Sequence, residues 1–407
     1  MRLPLVSLLL SVLFSLASCD NAPGGYKVVP DTPEKGEMAK RTLLVYMMAE
    51  NSLYKHAGYD IDEINKVAAN VPSDCRLFVY VDDRSFPTMY QCFRCTDGTA
   101  GSSVFHPFDR DVCSSDTAAL GKLLDYIIKD YPTEKLDLVL WSHGDGWLRT
   151  SKNVAPQRSI GIDNGENTFL DKVETSIEME ELAALLERLP LKVDRLLFDA
   201  CFMQCAESSY ALRNAAEWII ASPAEVPGDG ADYSLLVPEF FYSEGVEALM
   251  DAYMVPYEGK NKGAVMSAVR ASEMQNLADV TSLYVSKYFG ADKQYDYSSV
   301  FSYVPGGDYT SGRPYPCFFD LNAMMRKILS AEDYFHWRKA YDSAVVELAA
   351  SPGWYSLVCR RVLEFDVEAG GGMSAYFPRH NSDNAVFNAD FRTTEWYRAA
   401  GWQVTGW

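Results

Sequence analysis

The sequence predicts an α/β sandwich built on a mostly parallel sheet. Two patterns in the first 240 residues predict it. Apolar, strand-like runs recur as "TLLVYMM" (42–48), "RLFVYVD" (76–82), "LDLVLWS" (136–142), "VDRLLFD" (193–199) and "EWIIAS" (217–222). Helical patterns fall between or after them, at 52–70, 116–130, 178–189 and 202–216. Near-continuous apolar strands alternating with helices imply a sheet covered on both faces. Length and composition agree: 407 residues, 48% hydrophobic and 23% charged, suffice for a large folded core.

Each element has local reasons. In the second helical pattern, Ser115 or Asp116 can cap the start, and the helix must stop before Pro132. The sandwich is read over 41–240. Residues 241–407 are less regular, with helices expected near 243–254, 263–289 and 320–350 and a late strand in "GGGMSAYFP" (370–378). That region is either a second domain or an elaboration of the same sheet.

The N-terminus, "MRLPLVSLLLSVLFSLASCD", has one arginine and then an apolar run too short to span a bilayer. It reads as a signal peptide over 1–18. "Leu16-Ala17-Ser18-Cys19" resembles a bacterial lipobox, which makes Cys19 the lipidation site. Residues 19–40, rich in Pro, Gly and charge, suit a flexible tether. The expected location is the bacterial cell envelope, lipid-anchored, facing the periplasm or the exterior. A formal net charge of −19 argues against nucleic acid as a partner.

There are nine cysteines, and an exported chain can oxidise them. Cys75, Cys92, Cys95 and Cys113 cluster in sequence, so they are expected to form one or two bridges or to stay plain thiols. Cys92-Phe93-Arg94-Cys95 lacks the second pair that a zinc site needs, and no metal-ligand set is assigned.

In open α/β sheets, sites form beyond the carboxyl ends of the strands. One strand runs into His143-Gly144 and another into Asp199-Ala200-Cys201. If the two are parallel neighbours, they bring a nucleophile and a general acid/base to one edge. Cys201 is expected to precede a helix whose N-terminus favours the thiolate. The N–H groups of Gly144 and Cys201 would form an oxyanion hole. Asp199 would pair with a basic substrate group. The unremarkable alternatives are a buried cysteine, a turn His-Gly and a helix-capping aspartate.

These motifs resemble the clostripain (C11) family of caspase-like cysteine peptidases. "LVYMMAENSLY" (44–54), "WSHGDGW" (141–147), "DACFMQ" (199–204), "SPAEVPGDGADY" (222–233) and "GGGMSAYFP" are the similar segments. The resemblance implies a caspase-like three-layer sandwich with a C-terminal α/β elaboration, and a monomeric endopeptidase cutting after Arg or Lys. It implies His143 and Cys201 as the dyad and Asp199 as the reader of the basic side chain. Ser142 stands where Asn is common, and Gln204 where a small residue is. The resemblance also implies self-cleavage in the polar stretch 148–177, where Arg149, Lys152, Arg158 and Lys172 mark candidate bonds, and it leaves calcium open as a cofactor. "DNGENTFLDKVE" (163–174) is not an EF-hand, because Thr168 occupies the position that needs Gly. The competing expectations are a non-catalytic surface lipoprotein binding protein or glycan, and a hydrolase with the same dyad acting on non-basic peptides.

Overall fold

The computed structural model describes residues 29–148, 159–164, 175–258, 263–297, 299–304, 318–356, 361–365, 370–380 and 385–407. The first part of the chain runs β1 (Ala39–Met48), α1 (Tyr54–Val67), β2 (Cys75–Asp82), β3 (Thr88–Arg94), β4 (Ala100–Phe105), α2 (Thr117–Asp130) and β5 (Thr133–Trp141). A small antiparallel pair follows, β6 (Ile160–Asp163) with β7 (Thr175–Ile177), then α3 (Met179–Leu186), β8 (Val193–Asp199), α4 (Ala206–Ala211) and β9 (Ala216–Ala221). Next come α5 (Tyr233–Tyr242), α6 (Glu247–Met254), β10 (Val265–Arg270), α7 (Met274–Tyr288), β11 (Phe319–Asp320), α8 (Leu321–Ile328), α9 (Ala331–Ala344) and β12 (Val345–Ala350).

Nine strands form the central sheet in the order β12-β10-β9-β8-β5-β1-β2-β3-β4. The middle five, β9 to β2, are mutually parallel, and the outer pairs add antiparallel. The chain order reverses direction between β1 and β5, where a doubly wound sheet opens its crevice. Alternate residues of β1 serve the two faces. Leu44, Tyr46 and Met48 join α2, α3, α4 and α7 in one core, while Leu43, Val45 and Met47 join α1, α5 and α6 in the other. This is the expected three-layer sandwich.

Three expectations are corrected. Residues 263–289 are strand β10 followed by helix α7, and the helical stretch 320–350 ends in strand β12. Ala, Met, Leu and Glu in those stretches favour helix, but pairing with β9 and with each other overrides that weak preference. Region 241–407 therefore extends the same sheet. The helix expected at 202–216 is only Ala206–Ala211, because Phe202 adopts φ 60° and Gln204 N–H bonds to Ser222 O at 2.9 Å. Cys75, Cys92, Cys95 and Cys113 are unbridged thiols. Cys92 and Cys95 lie three residues apart on extended chain, a span of about 10 Å, which exceeds disulfide reach.

A buried ion cluster ties three central strands together. Asp137 of β5 is fully buried and accepts from Arg41 of β1 at 2.7 Å and from the Arg195 side chain of β8 at 2.6 and 3.0 Å. Arg195 also donates to Ser243 O at 2.7 Å and to Phe240 O. Removing the carboxylate takes the acidic partner from buried Arg195, while Arg41 keeps Asp194 at 2.9 Å and Glu244 at 3.1 Å, and the expected loss is about 3–5 kcal/mol. Urea unfolding of Asp137→Ala checks this; a loss under 1 kcal/mol would refute it.

Candidate active site

β5 and β8 are neighbours and parallel, with Trp141 in register with Asp199. His143 and Cys201 are each the second residue beyond that pair. Both line one cleft of about 500 Å³ at the carboxyl edge of the sheet. Leu53 after β1, Glu225 to Gly228 and Gly230 after β9, and Ile162 of β6 complete its wall. The structure thus brings together four residues predicted from sequence: His143, Gly144, Asp199 and Cys201. Cys19, Arg149, Lys152, Arg158 and Lys172 lie outside the described residues.

The histidine is held from β1. Ser52 Oγ and His143 Nε2 are 2.8 Å apart. Asn51, itself 1% exposed, donates through Nδ2 to Met48 O and to Ile162 O, both at 2.8 Å. Ser142 Oγ donates to Met48 O at 2.8 Å and accepts from Ile162 N–H at 3.2 Å. The turn after β1 and the His-Gly turn are therefore one hydrogen-bonded unit. The segment "ENSLY" was noted in the sequence, but Ser52 as the histidine's neighbour was not. Its signal was the polar pair at the end of an apolar strand.

Gly144 bridges to Ile160 through its neighbours: Gly161 N–H donates to His143 O at 3.0 Å and Asp145 N–H to Ser159 O at 3.1 Å. The Gly144 N–H takes no part in that bridge. A Cβ at this position would meet Cys201 O at 2.7 Å and Met203 Sδ at 2.8 Å, so only glycine fits beside the cysteine.

Cys201 is half-buried and contacts the backbone of Val226, whose N–H reaches Sγ at 3.3 Å and whose carbonyl accepts the thiol at 3.7 Å. Burial pushes the thiol up to about 12, Val226 N–H pulls it back, and Glu225, Asp145 and Asp199 add to the rise. The expected thiolate stabilisation by a following helix is absent, since α4 starts only at Ala206 with Cys205 as its N-cap.

Asp199 is 4% exposed at the base of the cleft. Its carboxylate accepts from Tyr253 OH at 2.7 Å, Tyr233 OH at 3.1 Å and Ala231 N–H at 3.1 Å, while burial raises its pKa. It caps no helix. Sequence reasoning missed Asp60 of α1 behind it. Burial and then the carboxylates of Asp199 and Glu63 push Asp60 up to about 9, against the Trp141 hydrogen bond. Nothing local in the sequence marks Asp60, since α1 meets this floor only through tertiary packing.

Comparison with known proteins accords with this geometry. A secreted C11 cysteine protease from Bacteroides thetaiotaomicron, solved with an irreversible peptide inhibitor, superposes with a TM-score of 0.76 at 26% identity, covering 89% of this chain and 99% of that one. An inactive zymogen C11 protease from Parabacteroides distasonis shares the fold, with a TM-score of 0.73 at 24% identity over 89% of this chain and 99% of that one. Clostripain of Hathewaya histolytica is 33% identical over 129 residues, which span 29% of this chain and 23% of that protein.

A protonated resting thiol has a kinetic consequence. Below its pKa the thiolate fraction grows about tenfold per pH unit. Alkylation of Cys201 by iodoacetamide, followed by mass spectrometry, is expected to keep accelerating from pH 6 to beyond 9. A plateau near pH 7 would show the thiol to be acidic instead.

The clostripain-family profile matches residues 45–407, through both cleft motifs and the C-terminal strands, and the chain belongs to that family of cysteine-type endopeptidases.

Proposed function

We propose that this chain is an exported, lipid-anchored cysteine endopeptidase that cleaves after Arg or Lys through the dyad His143 and Cys201. The observation that carries the reading is the shared register of β5 and β8, which sets both side chains at one cleft above a buried carboxylate. A peptide is the fitting occupant: the related Bacteroides protease holds a peptide inhibitor. Anchoring at Cys19, an envelope location and self-cleavage within 148–177 belong to the same proposal and rest on the sequence. No described helix is long and apolar enough to cross a membrane.

In the first step His143 takes the Cys201 proton, and Sγ attacks the carbonyl carbon before the scissile bond. The tetrahedral oxyanion is held by the Gly144 and Cys201 N–H groups. His143 then gives its proton to the departing amine, leaving a thioester on Cys201. Water, deprotonated by His143, attacks the thioester and releases the new carboxyl terminus. With the thiol pKa high at rest, the proton transfer accompanies attack rather than preceding it.

The floor supports a cationic side chain before the cut bond. Asp199 and Asp60 are two buried acids whose charged forms repel each other, and an entering guanidinium or ammonium relieves that repulsion. Asp199→Asn is therefore expected to lower kcat/KM on Arg and Lys peptides by about a hundredfold or more, as losing one partner of a buried charge pair does. Iodoacetamide reactivity of Cys201 should survive. Equal activity on basic peptides would remove Asp199 from the specificity role.

The deciding assay uses residues 20–407 with fluorogenic peptides ending in Arg, Lys, Asp or Asn, beside Cys201→Ala. Cleavage after Arg or Lys, lost in the variant, is the expected result. Cleavage after Asp or Asn alone would favour the hydrolase of non-basic peptides. No cleavage of any peptide, even after limited proteolysis within 148–177, would favour the non-catalytic surface lipoprotein.

A further inference from the structure

Asp199 does not stand alone at the base of the cleft. Asp60 of α1 is 4% exposed, and its neighbours tie it to the same floor. Trp141 is in register with Asp199 on the sheet and donates its indole N–H to Asp60. Tyr233 donates its hydroxyl to Asp199 at 3.1 Å. Its backbone N–H goes at 2.9 Å to Glu63, which follows Asp60 by one helical turn on α1.

The two acids are supplied unequally with donors. Asp199 accepts from Tyr253, Tyr233 and the Ala231 N–H, three bonds that favour a carboxylate. Asp60 has the Trp141 N–H, but its buried Oδ2 has no hydrogen-bond partner among the described residues. A buried oxygen that lacks a donor is where a proton costs least. The charges that act most on Asp60 come from Asp199 at the end of β8, Glu63 on its own helix and Asp229 in the loop after β9, all acidic. With burial, the largest cause, they hold Asp60 up to about 9. Tyr233 of α5, Tyr253 of α6 and Tyr257 just after α6 face the same floor, and burial raises all three hydroxyls above the usual tyrosine range. The histidine on this side, His56, lies 3.8 Å from Asp229.

We propose that Asp60 stores a proton while the cleft is empty and releases it to solvent when an Arg or Lys side chain settles on Asp199. This rests on the cleavage after Arg or Lys proposed above. The acid pair then carries one negative charge when empty and two when filled. The second charge exists only beside the cation that it stabilises, and a neutral side chain cannot drive the proton off. Asp60 acts through Asp199, as a positioning residue. Below about 9 Asp60 is protonated in the empty chain, so affinity for a cation rises with pH until that value is reached.

The test measures binding to the Cys201→Ala chain, which lacks the thiol. The probes are an acetylated dipeptide amide ending in Arg and its uncharged citrulline counterpart; the guanidinium does not titrate in the range used. Calorimetry from pH 6 to 9, in buffers of different ionisation heat, counts the protons released. About one proton per bound Arg probe is expected at pH 7, and affinity should rise by about tenfold per pH unit below pH 8. Asp60→Asn, which keeps an acceptor for Trp141, should release almost none and bind with a flat pH dependence. Glu63→Gln should still release the proton. Binding of the Arg probe by the parent with no proton released would overturn the proposal, whether or not Asp60→Asn folds. A release that persists in Asp60→Asn would put the proton on Asp199 or His143 and overturn it as well. Equal binding of the Arg and citrulline probes at every pH would instead sink the basic-residue reading, and this proposal with it.

Discussion

The carboxylate of Asp137 is the constraint on which the geometry of the cleft depends. It sits midway along β5 and holds Arg41 of β1 and Arg195 of β8, so three neighbouring parallel strands are fixed to one another inside the core. Asp137 precedes His143 by the same number of residues as Arg195 precedes Cys201. The ion pair therefore sets the relative height of the two side chains at the far edge. A register irregularity between Leu136 and Leu138 lies beside this anchor, and from Leu138 onward β5 and β8 keep one offset through Trp141 and Asp199. A slip of one residue would turn His143 or Cys201 away from the cleft.

Around that pair, the site divides its work between elements of different origin. The turn after β1 holds the His-Gly turn through Asn51 and Ser52. β9 contributes the segment after Ser222, whose Ala224 carbonyl accepts from Phe202 and whose Val226 backbone meets the thiol. Behind Asp199 lie Tyr233 of α5 and Tyr253 of α6, which donate to its carboxylate, and Asp60 of α1. Apolar residues such as Leu53, Trp141, Ile162 and Val226 line the cleft beside its polar groups.

Much of this was legible in the sequence because the five parallel strands carry long apolar runs, and their ends carry unusual residues at short range. His143, Gly144 and Cys201 follow strands whose pattern is unambiguous, and Asp199 ends one. Three kinds of feature were hidden. The β3–β4 hairpin is partly exposed and mixes polar with apolar residues, so it has no continuous apolar signal. β10 and β12 consist largely of residues at ease in helices and become strands only by joining the edge at β9. The departure of Phe202 from helical geometry comes from tertiary contacts, its N–H on Ala224 O and its ring stacked on Phe318 at 4.6 Å. That departure separates Cys201 from the helix start that the sequence suggested.

The late position of β10 and β12 in the chain bears on how the molecule is assembled. When residues up to Ala221 have left the ribosome, the parallel centre of the sheet is complete, yet the outer edge of β9 has no partner until residues 265–270 follow. An unpaired apolar edge is a template for wrong strand pairing, and chains are made from the amino end. The nascent protein thus passes through a stage in which its future active-site strands are folded and sticky. Ser374 N–H, which closes on Gln204 O at 3.0 Å just beyond the cysteine, arrives later still. The last third of the chain acts as a built-in seal, so the segment behind Cys201 is secured only when synthesis is almost finished.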